Sequence, residues 1–130
     1  MNQPSSWENS SLEGPALRTF TGISKAWSLT KLEQSAILGQ PIDATFPVVE
    51  TGVIEELLPE TLERISYVVG IYRALHTIFS DPEQADGWIR RPNSAPLFDG
   101  ASALSVMCRG RVADLASVRR HLEEEGLGPL

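Results

Sequence analysis

Apolar residues along this chain recur three or four positions apart and show no sustained alternation, so the pattern predicts helices and no strands. Leu17, Phe20, Ile23 and Trp27 define a first amphipathic helix beginning near Pro15. Thr30, followed three residues later by Glu33, is a capping box that opens a second helix, and Gly39 closes it. A third segment has Asp43 as N-cap and Phe46, Val48 and Val49 as its apolar content. It is a short or bent helix at best, because Pro47 removes a backbone donor from its interior. Residues 50–60 are acidic and punctuated by Gly52 and Pro59, which predicts a linker. The clearest helix runs from Glu60 to Phe79 with a stripe of Leu62, Ile65, Val68, Val69, Tyr72, Leu75 and Phe79. At about 28 Å it is long enough to be the spine of a small domain. Gly70 inside it costs roughly 1 kcal/mol relative to Ala, which points to a close helix crossing.

Downstream, Ser80 and Glu83 pattern as a second capping box, with Pro82 in the first turn. That helix carries Ala85, Trp88 and Ile89 and stops at Arg91-Pro92. A loop from Asn93 to Gly100 holds two apolar anchors, Leu97 and Phe98. Ser102 caps a short helix with Ala103, Leu104, Val106 and Met107, and Gly110 ends it. The last helix, from Val112 to Glu125, turns Leu115, Val118 and Leu122 inward. Residues 1–13 are polar and read as a disordered leader. The expected organisation is therefore all-α: the leader, a helix-turn-helix-like unit with its linker over 14–58, and a small helical domain over 59–130.

Composition agrees with a packed core, with 42% hydrophobic and 22% charged residues. The net charge of −6 has the wrong sign for a strongly basic nucleic-acid binder. Its distribution is uneven. Residues 1–60 carry three basic against eight acidic side chains, and residues 61–130 carry eight against nine, all eight being arginines. The start has no charged segment followed by an apolar run, and no stretch is long and apolar enough to span a membrane, so the expected compartment is the cytoplasm.

Candidate chemistry is sparse. Cys108 is the only cysteine, so no internal disulfide or thiolate cluster is expected, and it reads as a core residue. His76 and His121 lie on different helices without local partners, the first expected partly buried and the second exposed. No metal site, cofactor-binding motif or catalytic constellation is expected, and the chain reads as a binding protein rather than an enzyme. Glu123-Glu124-Glu125 at a helix C-terminus opposes the macrodipole, a hint that a partner completes that end. The arginines cluster as Arg90-Arg91, Arg109 with Arg111, and Arg119-Arg120. Two readings stand: internal salt bridges with dipole compensation, or an interface that grips carboxylates or phosphates through the planar guanidinium fork.

The second and third helices, joined at Leu38-Gly39, have the spacing of a helix-turn-helix, with Ser35 as the small residue before the turn. Gln40 stands where an apolar residue usually follows the glycine. The would-be recognition segment, Asp43 to Glu50, offers no Arg, Lys, Asn or Gln to base edges. Lys31 and Thr45 are what this unit presents to DNA. A dimeric DNA-binding regulator is the alternative reading, and a packing or dimerisation module the plain one.

One resemblance organises these features. Leu62 to Tyr67 and Ile71 to His76, then Phe79, Asp81-Pro82, Ala85, Trp88, Ile89 and Arg90, form an ordered set. It continues through Arg91-Pro92-Asn93, Pro96-Leu97-Phe98, Gly100, Ala103-Leu104, Met107, Gly110 and the helix from Val112 to Leu122. This set, over about residues 60–126, resembles the Xre/MbcA/ParS antitoxins, whose toxin-binding domain pairs with RES-domain toxins. Phe20, Ile23, Ala26-Trp27, Leu29 and Leu38-Gly39 extend the likeness more weakly into the first half. The resemblance implies a type II toxin–antitoxin role: binding and neutralising a toxin that degrades NAD+ or transfers ADP-ribose from it. It also implies homodimers or hetero-oligomers with the toxin, a C-terminal helix and tail that block the toxin's pocket, and repression of the protein's own operon. Carried onto this sequence, the toxin-facing residues are Arg109, Arg111, Arg119, Arg120 and the tail Gly126, Leu127 and Gly128. Trp88, Pro92, Asn93, Phe98 and Gly100 are expected to be structural.

Overall fold

The computed structural model describes residues 4–39 and 59–126. The third predicted segment, with Asp43, Thr45 and Pro47, and the tail residues Leu127 and Gly128 lie outside the described residues. Within them the protein is all-α, with six helices: α1 (Pro4–Ala26), α2 (Lys31–Leu38), α3 (Pro59–Ile78), α4 (Pro82–Gly87), α5 (Ala103–Met107) and α6 (Val112–Gly126). A 3-10 turn, Trp88–Arg90, continues α4. The nearest approach to a strand among the described residues is an isolated bridge between Pro92 and Ser102.

α1 buries Leu17, Phe20, Ile23 and Trp27, as their spacing predicts. It differs from expectation upstream, where the helix runs back to Pro4 in place of a leader disordered to residue 13. Extending a nucleated helix adds a hydrogen bond for each residue fixed, so a polar segment can follow a well-packed one. The C-terminal end of α1 is a Schellman turn. Ser28 takes the left-handed conformation at φ 54°. Its N–H donates to the Lys25 carbonyl, and that of Leu29 donates to Ser24. A non-glycine residue there costs about 1–2 kcal/mol. The Arg90 guanidinium holds the turn in place, donating to the carbonyls of Trp27 at 2.8 Å and Ser28 at 2.9 Å.

The capping box of α2 forms as predicted. The Glu33 N–H donates to Thr30 Oγ1, and the Thr30 N–H donates to Glu33 Oε1. Gly39 caps the other end at φ 71°. A Cβ there would also lie 2.7 Å from Arg64 Cζ, so both backbone and packing require glycine.

α3 is the spine, beginning at Pro59 in the first helical position, where its missing N–H is no loss. Its buried residues are Thr61, Arg64, Ile65, Val68, Ile71 and Leu75. The predicted stripe is thus shifted: Leu62, Val69, Tyr72 and Phe79 are half-buried, while Ile71 and Arg64, outside the stripe, are buried. A single stripe assumes one partner, whereas α3 packs against α1, α2, α4 and α6. α6 runs in the same direction as α3. Arg64 reaches Gly110 just before α6, Gly70 abuts Arg119, and Ile78 lines a groove with Leu122. One apolar core runs from Leu17 on α1 to Leu122 on α6.

α4 starts from Asp81, not Ser80, because the Asp81 carboxylate accepts the Glu83 N–H at 3.1 Å with Pro82 behind it. Ser102 caps α5 through the Ser105 N–H, and Gly110 at φ 90° turns the chain into α6.

Candidate functional site

The loop from Asn93 to Ala101 is closed by its own backbone. Asn93 donates its N–H to Ala101 and accepts from Gly100 at 2.8 Å, while its side-chain Oδ1 accepts the Ala95 N–H at 2.9 Å. Asp99 and Gly100 both adopt positive φ, 49° and 88°, reversing the chain. The turn drives Phe98 into the core at 1% exposure, with Leu97 half-buried beside it. Trp88 meets the Phe98 ring edge-on at 5.7 Å, and His121 of α6 meets Phe98 edge-on at 5.1 Å and stacks near Trp88 at 6.3 Å. His121 is therefore not the exposed residue expected from sequence. Its ring fastens α6 to the loop, a role its position on an otherwise charged helix stretch did not signal. Pro92 is exposed and pairs with Ser102 in the isolated bridge.

His76 also has the partner that sequence reasoning missed. Its Nε2 lies 2.8 Å from Asp86 Oδ1, and its ring is 4.2 Å from that of Tyr72. Asp86 is ten positions away on α4, beyond the reach of a local motif. Among the described residues no group of three or more His, Cys, Asp or Glu side chains is arranged to hold a metal. Cys108 is half-buried, and burial pushes its thiol from 9.0 up to about 11. Glu33 adds to that shift and Arg90 opposes it.

The arginines divide by what they touch. Arg64 is an internal clamp. It donates to the Ile37 carbonyl at 3.2 Å and the Gly110 carbonyl at 2.8 Å, with Glu60 Oε2 at 2.7 Å. It thereby caps the end of α2 and holds the turn into α6. Only its spacing from Glu60, one helical turn earlier, was visible in the sequence, because Arg64 lies outside the predicted apolar stripe. Arg90 does the same for α1 and lies 3.5 Å from Glu33. Arg111 forms a two-bond pair with the nearly buried Asp114, at 2.9 and 3.2 Å.

Arg119 crosses the surface of α3. A Cβ on Gly70 would come within 2.6 Å of its Nε, so the glycine makes room for this side chain. The guanidinium lies 5.9 Å from the Tyr67 ring centroid and pairs with Glu123 at 3.1 Å. Arg109 and Arg120 are exposed, and neither side chain has an ion-pair or hydrogen-bond partner among the described residues. Lys31 opens α2 on the exposed surface.

Two grooves flank the outer side of α3. One, of about 440 Å³, lies against α6 and includes Ala74, Ile78, Leu122 and Glu123. The other, of about 590 Å³, lies against α1 and includes Ala16, Leu62 and Val69. They adjoin at Gly70, Arg73 and Arg119, which line both.

These features define a small helical module: a core closed by arginine caps, with exposed arginines that include Arg109 and Arg120, and a groove lined by Arg73 and Arg119 on its outside. Residues 74–125 match the family model of the antitoxin Xre/MbcA/ParS C-terminal toxin-binding domain. The matched stretch begins in the last quarter of α3 and ends in the last turn of α6. A protein of Sinorhizobium fredii, "Uncharacterized protein y4oB", is 41% identical over 110 residues, covering 84% of this chain and 82% of that relative. Residues 74–125 of the chain belong to the Xre/MbcA/ParS toxin-binding antitoxin domain family. Its family domain implies a toxin as partner. No helix among the described residues is long and apolar enough to cross a membrane.

Proposed function

We propose that this protein is the antitoxin of a type II pair, neutralising a cognate RES-domain toxin that degrades NAD+ or uses it for ADP-ribosylation. It acts in the cytoplasm by binding, not by catalysis. Arg109, Arg111, Arg119 and Arg120 face the toxin, and Gly126, Leu127 and Gly128 continue from α6 to block the toxin's pocket. Glycines suit a narrow cleft because they carry no side chain to clash. The observation that carries this reading is the toxin-binding domain match over 74–125. The exposure of Arg109 and Arg120 without partners in the same stretch supports it. The chain forms a homodimer or a hetero-oligomer with the toxin. Residues 14–58 serve as the helix-turn-helix-like unit that represses the operon, with Lys31 and Thr45 toward DNA, and residues 59–130 as the toxin-binding unit.

The test is co-expression with the product of the adjacent gene while growth and cellular NAD+ are followed. Arrest with NAD+ loss by the neighbour alone, both reversed by this chain, is the expected result. Rescue of an arrest that leaves NAD+ unchanged moves the toxin's chemistry to ADP-ribosyl transfer or another target. A harmless neighbour that does not co-purify removes the antitoxin reading. The DNA-binding regulator then remains, resting on the capped α2 and its Gly39 turn. A gel shift on the protein's own promoter at low salt tests it.

A further inference from the structure

The groove between α3, α1 and α6 joins Arg119, one of the toxin-facing arginines proposed above, to Arg73, which that proposal leaves without a role. Its floor is apolar, with Leu62, Val69, Ala74, Ile78 and Leu122 along it. Arg73 and Arg119 line both of its halves where they adjoin. Arg73 is exposed, and its side chain has no ion-pair or hydrogen-bond partner among the described residues. Arg119 is seated there by Gly70 and held by a single exposed carboxylate, Glu123, on the same rim. In a chain of net charge −6, a local excess of positive charge over an apolar trough selects an anionic, apolar-flanked occupant. Six of the eight residues along the α6 side fall within the matched toxin-binding stretch.

We propose that this groove takes a segment of the toxin bearing a carboxylate beside an apolar side chain, with Arg73 and Arg119 gripping the carboxylate. The inference rests on the antitoxin reading and assigns it a second anchoring point, away from the C-terminal tail. The incoming carboxylate displaces Glu123 from Arg119, so Glu123 is a built-in competitor for the same cation. A guanidinium forks two donors toward one carboxylate, and two such groups that reach it bind it more firmly than either alone. The apolar flank of the segment covers the trough and removes it from water.

The experiment is titration of the full-length chain against purified toxin, comparing wild type with Arg73→Glu, Glu123→Gln and Arg18→Glu. Arg18 is exposed on α1 and does not line the groove, so its reversal matches the charge change alone. The expected result is weakening of at least about tenfold for Arg73→Glu, a several-fold tightening for Glu123→Gln, and little change for Arg18→Glu. Opposite signs at Arg73 and Glu123 are not produced by general destabilisation. An Arg73→Glu complex within about twofold of wild type, or equal losses at Arg73 and Arg18, overturns the groove proposal and leaves the antitoxin reading standing. So does a finding that Arg73→Glu breaks self-association of this chain while toxin affinity is unchanged, which makes the occupant a second copy. Absence of any wild-type complex removes both.

Discussion

Replacing Arg64 with Met keeps most of the side chain's bulk and removes its charge and donors, which isolates what the clamp contributes. In the protein this guanidinium is 6% exposed and donates to two backbone carbonyls from different elements as well as to Glu60. A hydrogen bond from a charged donor contributes about 1.5–3 kcal/mol, and a buried acceptor left unmade costs about 1–3 kcal/mol. The Ile37 carbonyl is buried, and the Gly110 carbonyl partly so. The Glu60 pair adds little, because that carboxylate is 59% exposed and water screens it. Methionine recovers some apolar contact along α3. The sum is a loss of roughly 3 kcal/mol, against about 0.5 kcal/mol for Glu60→Gln. Urea denaturation followed by far-UV circular dichroism measures both. The midpoint falls while the slope stays constant, since the same surface is exposed on unfolding. Arg64→Lys falls between, because one ammonium cannot reach both carbonyls with fork geometry. An Arg64→Met protein within about 0.5 kcal/mol of wild type refutes the clamp.

Three further outcomes follow from particular side chains. Phe98→Ala costs about 3–5 kcal/mol by denaturant melt, because Phe98 is 1% exposed, and Trp88→Ala costs less because that ring is only half-buried. Equal losses would show that the loop does not centre on Phe98. The Cys108 thiol, raised to about 11 in the fold, binds its proton more tightly folded than unfolded. Its contribution to stability is complete below the unfolded value near 9.0 and is lost as pH climbs through about 11. A melt series across that range shows a decline that Cys108→Ala removes. Removing residues 127–130 leaves the melting temperature within about 2 °C and abolishes neutralisation in the co-expression assay, whereas truncation before Arg119 also strips Leu122, 2% exposed, from the core and unfolds the protein.

The helices were legible wherever the signal was local. Thr30 with Glu33, Gly39 and Ser102 each specify a boundary within a few residues of sequence, and each stands where it was read, while the periodicity of α1 gave its buried face but not its start. What escaped was set by distant partners. Ile71 is buried because α3 is enclosed on several sides, which one amphipathic stripe cannot express. Asp81 rather than Ser80 caps α4, a choice between adjacent good caps that depends on the exact path of the entering chain. His121 looked exposed among charged neighbours because its contacts, Trp88 and Phe98, come from a loop whose course the sequence does not reveal. For the candidate site, the arginine-rich second half was plain from composition. Which arginines are caps was not: Arg64 and Arg90 spend their donors on carbonyls 27 and 63 positions away.

Those two long reaches bear on how the chain matures during synthesis. The ribosome releases the first two helices well before the arginines that finish their ends. At about 5–20 residues per second, the 63 positions between Trp27 and Arg90 take roughly 3–13 s to translate. Throughout that interval the newborn segment holds open carbonyl ends and an apolar face without its cover. Once Arg90 has emerged its bonds to Trp27 and Ser28 can close, and the core is completed when α6 follows. Completion of the first two helices is thus timed by translation of the second half of the chain.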